Sequence, residues 1–372
     1  MSEQTNMTDD IYFAPLLPWQ QLLWSQLTQR VLEPQQSLPH ALLAAGMQGM
    51  GKRAFVWRLV AWLLCRVRDE HPLGACGQCE SCQWLRSGTH PSLQALPLVS
   101  LPISADNIHK REVASSTAKD KKSTKATSNA SLKIKVDEIR ALQPFIYQGG
   151  QGMRICVLDY AEQMTIAAAN ALLKTLEEPQ AQVYLFLISD APSQLLPTIK
   201  SRVQQLALQR IDPAVALDYV TQALGSTVNR EAVGAEAIEQ LIQLANGAPL
   251  AAVTLAQAPW YSKRALWLTT WQALRSGKRS SVAASDYWQN QLSIAEFIQL
   301  SELMLLDIRR VLLGFEALQK DVKLAEILQD HQPSDSGLER LSSSLQQTKI
   351  ALQQNVQEKF AYDKLMQELV SL

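Results

Sequence analysis

The chain has 372 residues, 47% of them apolar and 19% charged, a composition that describes a globular protein with room for two or three domains. Its 35 basic and 35 acidic side chains cancel, which excludes a global field drawing the chain to nucleic acid and leaves any DNA contact to local patches or to partners. Apolar runs such as 183–188 fall far short of a membrane span and the first twelve residues are polar and acidic, so no membrane partner and a cytoplasmic location are expected.

The first predicted strand is the apolar run 40–45, which leads into Gly46-Met47-Gln48-Gly49-Met50-Gly51-Lys52-Arg53 and a helix over 54–65. Strand, glycine-rich turn and helix are the setting of a phosphate-binding loop, G-x-x-x-x-G-K-[ST]. In that motif backbone N–H groups and Lys hold phosphate, and the Ser or Thr hydroxyl holds Mg²⁺. Gly46, Gly49, Gly51 and Lys52 are present, but Arg53 stands at the hydroxyl position. A guanidinium has no lone pair for a metal and brings positive charge to the cation's place. The loop is therefore expected to be a degenerate nucleotide site, badly equipped for hydrolysis, with ATP binding in doubt.

The helix ends at Cys65, and Cys65, Cys76, Cys79 and Cys82 form C-x10-C-x2-C-x2-C. In a reducing compartment such spacing points to a metal site, and four thiolates complete the closed tetrahedron of structural Zn²⁺. His71 or His90 are alternatives to Cys65 as the fourth ligand, and redox pairing is the alternative to metal. Residues 110–135 carry eight basic side chains against Glu112 and Asp120. Within that region 104–131 is so poor in apolar residues that a disordered basic insertion is expected.

The run 155–158 predicts a strand, with Cys156 buried in it, and it ends in Asp159, where an ATPase of this kind keeps its Mg²⁺-associated carboxylate. Tyr160 occupies the following position, where a catalytic Glu would sit, and a phenol is no base at neutral pH. A helix from a Thr165 cap to Pro179 follows, with Ala168, Leu172, Leu173 and Leu176 on one face. Next come a strand over 183–188, Ser189, and 195–202. Apolar strands alternating with helices imply a parallel sheet covered on both faces. Beyond 211 the pattern is helical, with helices over 214–224 and 235–245. Leu300, Met304 and Ile308 recur at helical spacing, and a last helix carries Val356, Phe360, Leu365 and Leu369 as either core or subunit interface. Trp57, Trp62, Trp267 and Trp271 are expected as packing or interface anchors.

The string Asn170-Ala-Leu-Leu-Lys-Thr-Leu-Glu-Glu-Pro179, the cysteine spacing, Gly88-Thr89-His90-Pro91 and Thr198-Ile199-Lys200-Ser201-Arg202 together resemble bacterial clamp-loader subunits of the AAA+ class. The likeness is good over about 15–260 and looser beyond. It implies an α/β AAA+ phosphate-loop domain over 1–211 with an inserted zinc module at 65–90, then an all-α lid at 212–261 and an all-α collar at 262–372. It also implies a subunit of the DNA polymerase III clamp loader, part of a DNA-directed DNA polymerase (nucleotidyltransferase) holoenzyme. Such a subunit joins gamma/tau and delta partners in a five-subunit ring that opens a sliding clamp and closes it on primer-template DNA. Arg53 and Tyr160 make this chain resemble a member that does not hydrolyse ATP itself. In the family, Arg202 of the Ser201-Arg202 pair reaches into a neighbour's ATP site as an arginine finger, and Ser189 stands where the gamma-phosphate is sensed. Leu250 and Ala251 replace the lid residues that offer an Arg to nucleotide. Two alternatives remain: an active gamma-type ATPase using Lys52 and Asp159, which turnover by the isolated chain would favour, and a zinc-dependent nucleic-acid-binding module, which salt-sensitive DNA binding by the isolated chain would favour.

Overall fold

A computed structural model describes residues 11–33, 37–97, 133–148, 152–208, 210–227, 234–330, 332–352 and 357–372. The expected disordered insertion at 104–131, the first ten residues and Val356 lie outside the described residues. The chain divides into two compact units, Met1–Tyr219 and Val220–Leu372.

The first unit contains α1 (Gln21–Leu32), β1 (Ala41–Ala45), α2 (Lys52–Leu64), α3 (Glu80–Arg86), β2 (Leu93–Leu96), α4 (Val136–Tyr147) and β3 (Arg154–Leu158). It continues with α5 (Ile166–Glu177), β4 (Val183–Ser189), α6 (Pro197–Lys200) and β5 (Gln204–Gln205). Helix α7 (Pro213–Thr227) spans the boundary between the units. The strands form one sheet in the order β2-β3-β4-β1-β5. Every neighbouring pair is parallel, with Ala45 opposite Ser189 and Leu158 opposite Leu187.

The period-two alternation of a strand divides the core. Leu42, Ala44, Ile155, Val157, Phe186 and Ile188 pack on one face with Phe55, Leu59 and Trp62 of α2. Leu43, Cys156, Leu158, Leu185 and Leu187 pack on the other with α4 and α5. Both faces are therefore covered, as uninterrupted apolar strands require. Burial pushes the Cys156 thiol up to about 12, which makes it an inert core side chain. Helix α5 is capped by Thr165, whose Oγ1 accepts from the Ala168 N–H at 3.2 Å. Its Ala168, Leu172 and Leu176 are buried and Leu173 is partly so.

The second unit is helical: α8 (Ala235–Leu244), α9 (Pro249–Gln257), α10 (Arg264–Arg275), α11 (Ser281–Gln289), α12 (Ile294–Leu312), α13 (Leu324–Asp330), α14 (Asp335–Leu352) and α15 (Glu358–Val370). Leu300, Met304 and Ile308 lie on the buried face of α12, against Trp267, Trp271 and Trp288. Of the last helix's four apolar residues, Leu365 and Leu369 are core, whereas Phe360 is 66% exposed. The buried Asp307 carboxylate accepts from the N–H groups of Leu318 and Gln319 at 2.7 and 2.9 Å, which fixes the loop after α12. No helix among the described residues is long and apolar enough to cross a membrane.

Candidate functional site

Helix α2 joins two sites, one at each end. At its start, Gly46, Gly49 and Gly51 hold φ of 152°, 88° and 77°, and the last two lie in the left-handed region that glycine enters without steric cost. The loop is braced from outside by α1's approach, with Trp19 Nε1 donating to Met50 O and Gln20 Nε2 to Gly51 O, both at 3.1 Å.

Lys52 is 2% exposed. A buried ammonium without a partner costs several kcal/mol, and here Nζ donates to Met47 O at 3.1 Å and to the Asp190 carboxylate. Arg53 binds two acids at once. Its Nε donates to Asp159 Oδ1 and Oδ2 at 2.9 and 3.0 Å, and its Nη1 and Nη2 donate to Asp190 at 3.1 and 2.7 Å. The Tyr160 ring lies beneath the guanidinium at 4.3 Å. Burial alone would raise the Asp190 carboxyl, but hydrogen bonds from Arg53 and Lys52 outweigh it and hold it below the ordinary range. The deeper Asp159 is pushed up by burial, and Arg53 offsets only part of that.

The structure thus brings Gly46, Gly49, Gly51, Lys52, Arg53, Asp159 and Tyr160 together. It adds a group that sequence reasoning missed. Asp190 follows β4, the strand lying between β1 and β3, so its carboxylate sits between the loop and Asp159. The missed signal was a charge count: Lys52 and Arg53 at one strand edge call for two anions, and the motif positions supply only Asp159. Ser189 is fully buried, and its Oγ has no hydrogen-bond partner among the described residues.

At its other end α2 stops where Cys65 turns to extended backbone (ψ 130°). Cys79 caps α3, and Gly77 takes φ 73° between Cys76 and Cys79. Arg86 clamps that turn by donating to Gly77 O at 2.7 Å while lying over Phe13 at 4.4 Å. The Sγ atoms of Cys65, Cys76, Cys79 and Cys82 all lie within 4.8 Å of one another. Individual separations are 3.9 Å (Cys65–Cys79), 3.9 Å (Cys76–Cys82) and 3.5 Å (Cys79–Cys82). A tetrahedral zinc with Zn–S bonds of about 2.3 Å sets its sulfurs about 3.8 Å apart, so the spacing fits the ion. Backbone N–H groups of Gln78 and Cys79 point at Cys76 Sγ, at 3.4 and 3.3 Å. Burial raises the Cys79 thiol, but hydrogen bonds from the Arg66 and Cys82 backbone and from neighbouring thiols bring it down to about 6.

His90 stands outside that cluster. Its Nδ1 accepts from the Ser92 N–H at 3.1 Å, so Nε2 carries the proton and donates to Ser81 Oγ at 2.8 Å, and Ser81 in turn donates to Leu64 O at 2.6 Å. Burial, with a smaller contribution from the Arg66 charge, lowers this imidazole to about 4. His90 thereby ties the start of α3 to the end of α2 as a neutral ring.

Arg202 lies on the surface just after α6. Its Nε and Nη2 meet Glu177 Oε1 at 2.8 and 2.7 Å, and Nη1 donates to Thr198 O and Ser201 Oγ at 3.1 and 3.2 Å. In the second unit, Leu250 and Ala251 open α9 after Asn246 and Gly247, which turn the chain with φ of 52° and 81°.

A parallel sheet with a glycine-rich loop after β1, an acid after β3 and β4 between them is the arrangement of a phosphate-loop domain, here with Arg53 after Lys52 and Tyr160 after Asp159. The family model described as "DNA polymerase III, delta subunit" matches residues 19–212. The chain is 38% identical to DNA polymerase III subunit delta-prime of Pseudomonas aeruginosa over 65% of its length and 62% of that protein's, less than two thirds. It is 32% identical to the Yersinia pestis subunit of the same name, over 72% of this chain and 69% of that one. Among solved structures, a gamma subunit-related protein of Thermotoga maritima matches over 94% of this chain and 98% of that one, at 14% identity and TM-score 0.39. The chain belongs to the DNA polymerase III delta-prime family.

Proposed function

We propose that this chain is a ring-forming subunit of the DNA polymerase III clamp loader that does not hydrolyse ATP and contributes to hydrolysis in a neighbour. It works in the cytoplasm with gamma/tau and delta partners, opening a sliding clamp and placing it on primer-template DNA. In this reading 1–211 is the nucleotide-type domain, 212–261 the lid and 262–372 the collar that assembles the ring. Cys65, Cys76, Cys79 and Cys82 would hold a structural zinc, which supplies closed coordination and no open position for chemistry.

The observation that carries the reading is Arg53. Its guanidinium takes the place of the metal-binding hydroxyl and is engaged with both Asp159 and Asp190, which leaves a Mg²⁺ ion facing a fixed positive charge. Tyr160 removes the base. Arg202, by contrast, is exposed and pre-oriented by Glu177, and a planar fork of this kind suits the gamma-phosphate oxygens of an adjacent subunit.

Reconstitution with the other loader subunits is the test. Omitting this chain should abolish clamp loading. Arg202→Ala should leave folding and assembly intact while lowering DNA- and clamp-stimulated ATPase, by on the order of 10³-fold at the one site it serves and by much less in total. Arg202→Lys should rescue poorly. Loading at the normal rate by the Arg202→Ala complex would make the chain a purely structural ring member, and ATP turnover by the isolated chain that vanishes in Lys52→Ala would return it to the hydrolysing class.

A further inference from the structure

We infer that the Asp190 carboxylate acts as a built-in substitute for phosphate, so that the loop of this chain is closed to nucleotide by its own side chains and opens to polyphosphate when Asp190 is removed. The inference rests on reading this pocket as a retired nucleotide site, and it names the side chain that takes the phosphate's place. The residues do not fit ATP as they stand. The buried Lys52 ammonium, the group that reaches phosphate in a working loop, is committed to Asp190 and to Met47 O. The Asp190 oxygens also take both terminal nitrogens of Arg53. One carboxylate thus bridges the two cations in the way a phosphate group would. Asp159 takes the remaining edge of the guanidinium and Tyr160 its face.

Two arguments make this closure effective. The first is charge. Lys52 and Arg53 are matched by Asp190 and Asp159, so no excess positive potential remains for an anion carrying several negative charges. The second is topology. Asp190 is fixed at the end of β4, whose Ser189 O accepts the Gly46 N–H at 3.1 Å. The competing carboxylate is therefore intramolecular, at an effective concentration on the order of millimolar or above. A free nucleotide has to displace it and leave the displaced acid beside its own phosphates. Asp190→Asn keeps the shape and removes the charge that bridges Lys52 and Arg53, leaving Asp159 on the guanidinium and the Glu162 carboxylate on the N–H of residue 190.

The experiment uses the full, metal-loaded chain, with ATP and inorganic tripolyphosphate as probes, each with and without Mg²⁺. Binding is read by calorimetry and by the upward shift in melting temperature that a ligand of the folded state produces. Asp190→Asn and Asp190→Ala should bind both probes about ten-fold or more tightly than the natural chain, by relief of intramolecular competition. The gain should be independent of Mg²⁺, because Arg53 keeps the metal's place. Asp190→Asn combined with Lys52→Ala should lose the gain. A natural chain that binds ATP as tightly as Asp190→Asn, or whose ATP binding disappears in Lys52→Ala, overturns the inference. So does a folded Asp190→Asn chain with no gain. If Asp190→Ala does not fold, Asp190→Asn and the Lys52→Ala comparison still decide. These readouts are equilibrium binding by the isolated chain, so they stand or fall apart from clamp loading and ATPase in the assembled ring.

Discussion

The two ends of α2 solve opposite problems. At its N-terminal end four charged side chains satisfy one another, with Lys52 and Arg53 held by Asp159 and Asp190. At its C-terminal end four thiols converge, their sulfurs within 4.8 Å of one another. The first arrangement is complete as a protein, and the helix dipole favours the two carboxylates gathered at its N-terminus. Four sulfurs this close repel as thiolates and gain little as thiols, so the cluster has its full stabilising effect only around a metal ion. One end of α2 is filled by its own charged side chains, while the other gathers four thiols.

Metal removal should break that contrast most strongly. Metal analysis under reducing conditions should find about one zinc per chain, and a chelator or Cys82→Ser should destabilise the first unit by at least ~3 kcal/mol. That is well below the ~10–16 kcal/mol of zinc-finger peptides, because this module is also held by a folded domain. Trp62 Nε1 donates to His71 O and Trp24 Nε1 to Pro72 O, so part of the loop stays anchored without metal. A reduced chain that melts at the same temperature with and without chelator would show the cluster to be no metal centre.

A smaller effect belongs to the other end. Removing one partner of a buried ion pair costs about 3–5 kcal/mol, and Arg53 is partly exposed, so Arg53→Ala should lose about 2 kcal/mol in urea denaturation. Arg53→Lys should recover only part, because an ammonium cannot hold both acids with one fork. The depressed Asp190 carboxyl adds a pH signature. Its contribution is fully present above about pH 4, the unfolded value, and is lost as pH falls below that toward its folded value. Unchanged stability in Arg53→Ala would mean that the four charges do not form one unit.

The elements most legible from sequence were those with a physical reason to be local. The apolar run before Gly46, the Thr165 cap and the uninterrupted strand after 182 each carry their structure in adjacent residues. Helix α2 begins at Lys52, two residues before the expected start, because Gly51 already supplies the left-handed turn. Strands β2 and β5, with four and two residues, have too little pattern of their own and exist through pairing with β3 and β1. The convergence of the four cysteines was readable because three of them are close in sequence and the fourth ends the helix before them. Asp190 was not, because its partners lie more than 130 positions away and only the strand order brings them together. His71 and His90 stayed open as ligands for the converse reason, since both lie near the cysteines in sequence.

His90 supplies the last and smallest test, which decides whether it belongs with the four cysteines. Its two ring nitrogens are taken by the Ser92 N–H and by Ser81 Oγ, so it should be a brace and not a ligand. Loss of one or two hydrogen bonds of this kind costs about 1–2 kcal/mol, and His90→Ala should lose that much while keeping about one zinc per chain. The ring's pKa, lowered to about 4 by burial and the nearby Arg66, fixes the sign of its pH dependence. A folded value below the unfolded ~6.5 favours the neutral ring, so its contribution is fully present above about pH 6.5 and is lost as pH falls toward the folded value. In the metal-loaded chain the His90 ring carbons should therefore keep their neutral NMR shifts at pH 5.5, where an exposed imidazole is mostly charged. Titration near the ordinary value would remove the brace, and loss of zinc in His90→Ala would make His90 a ligand and displace one of the four cysteines.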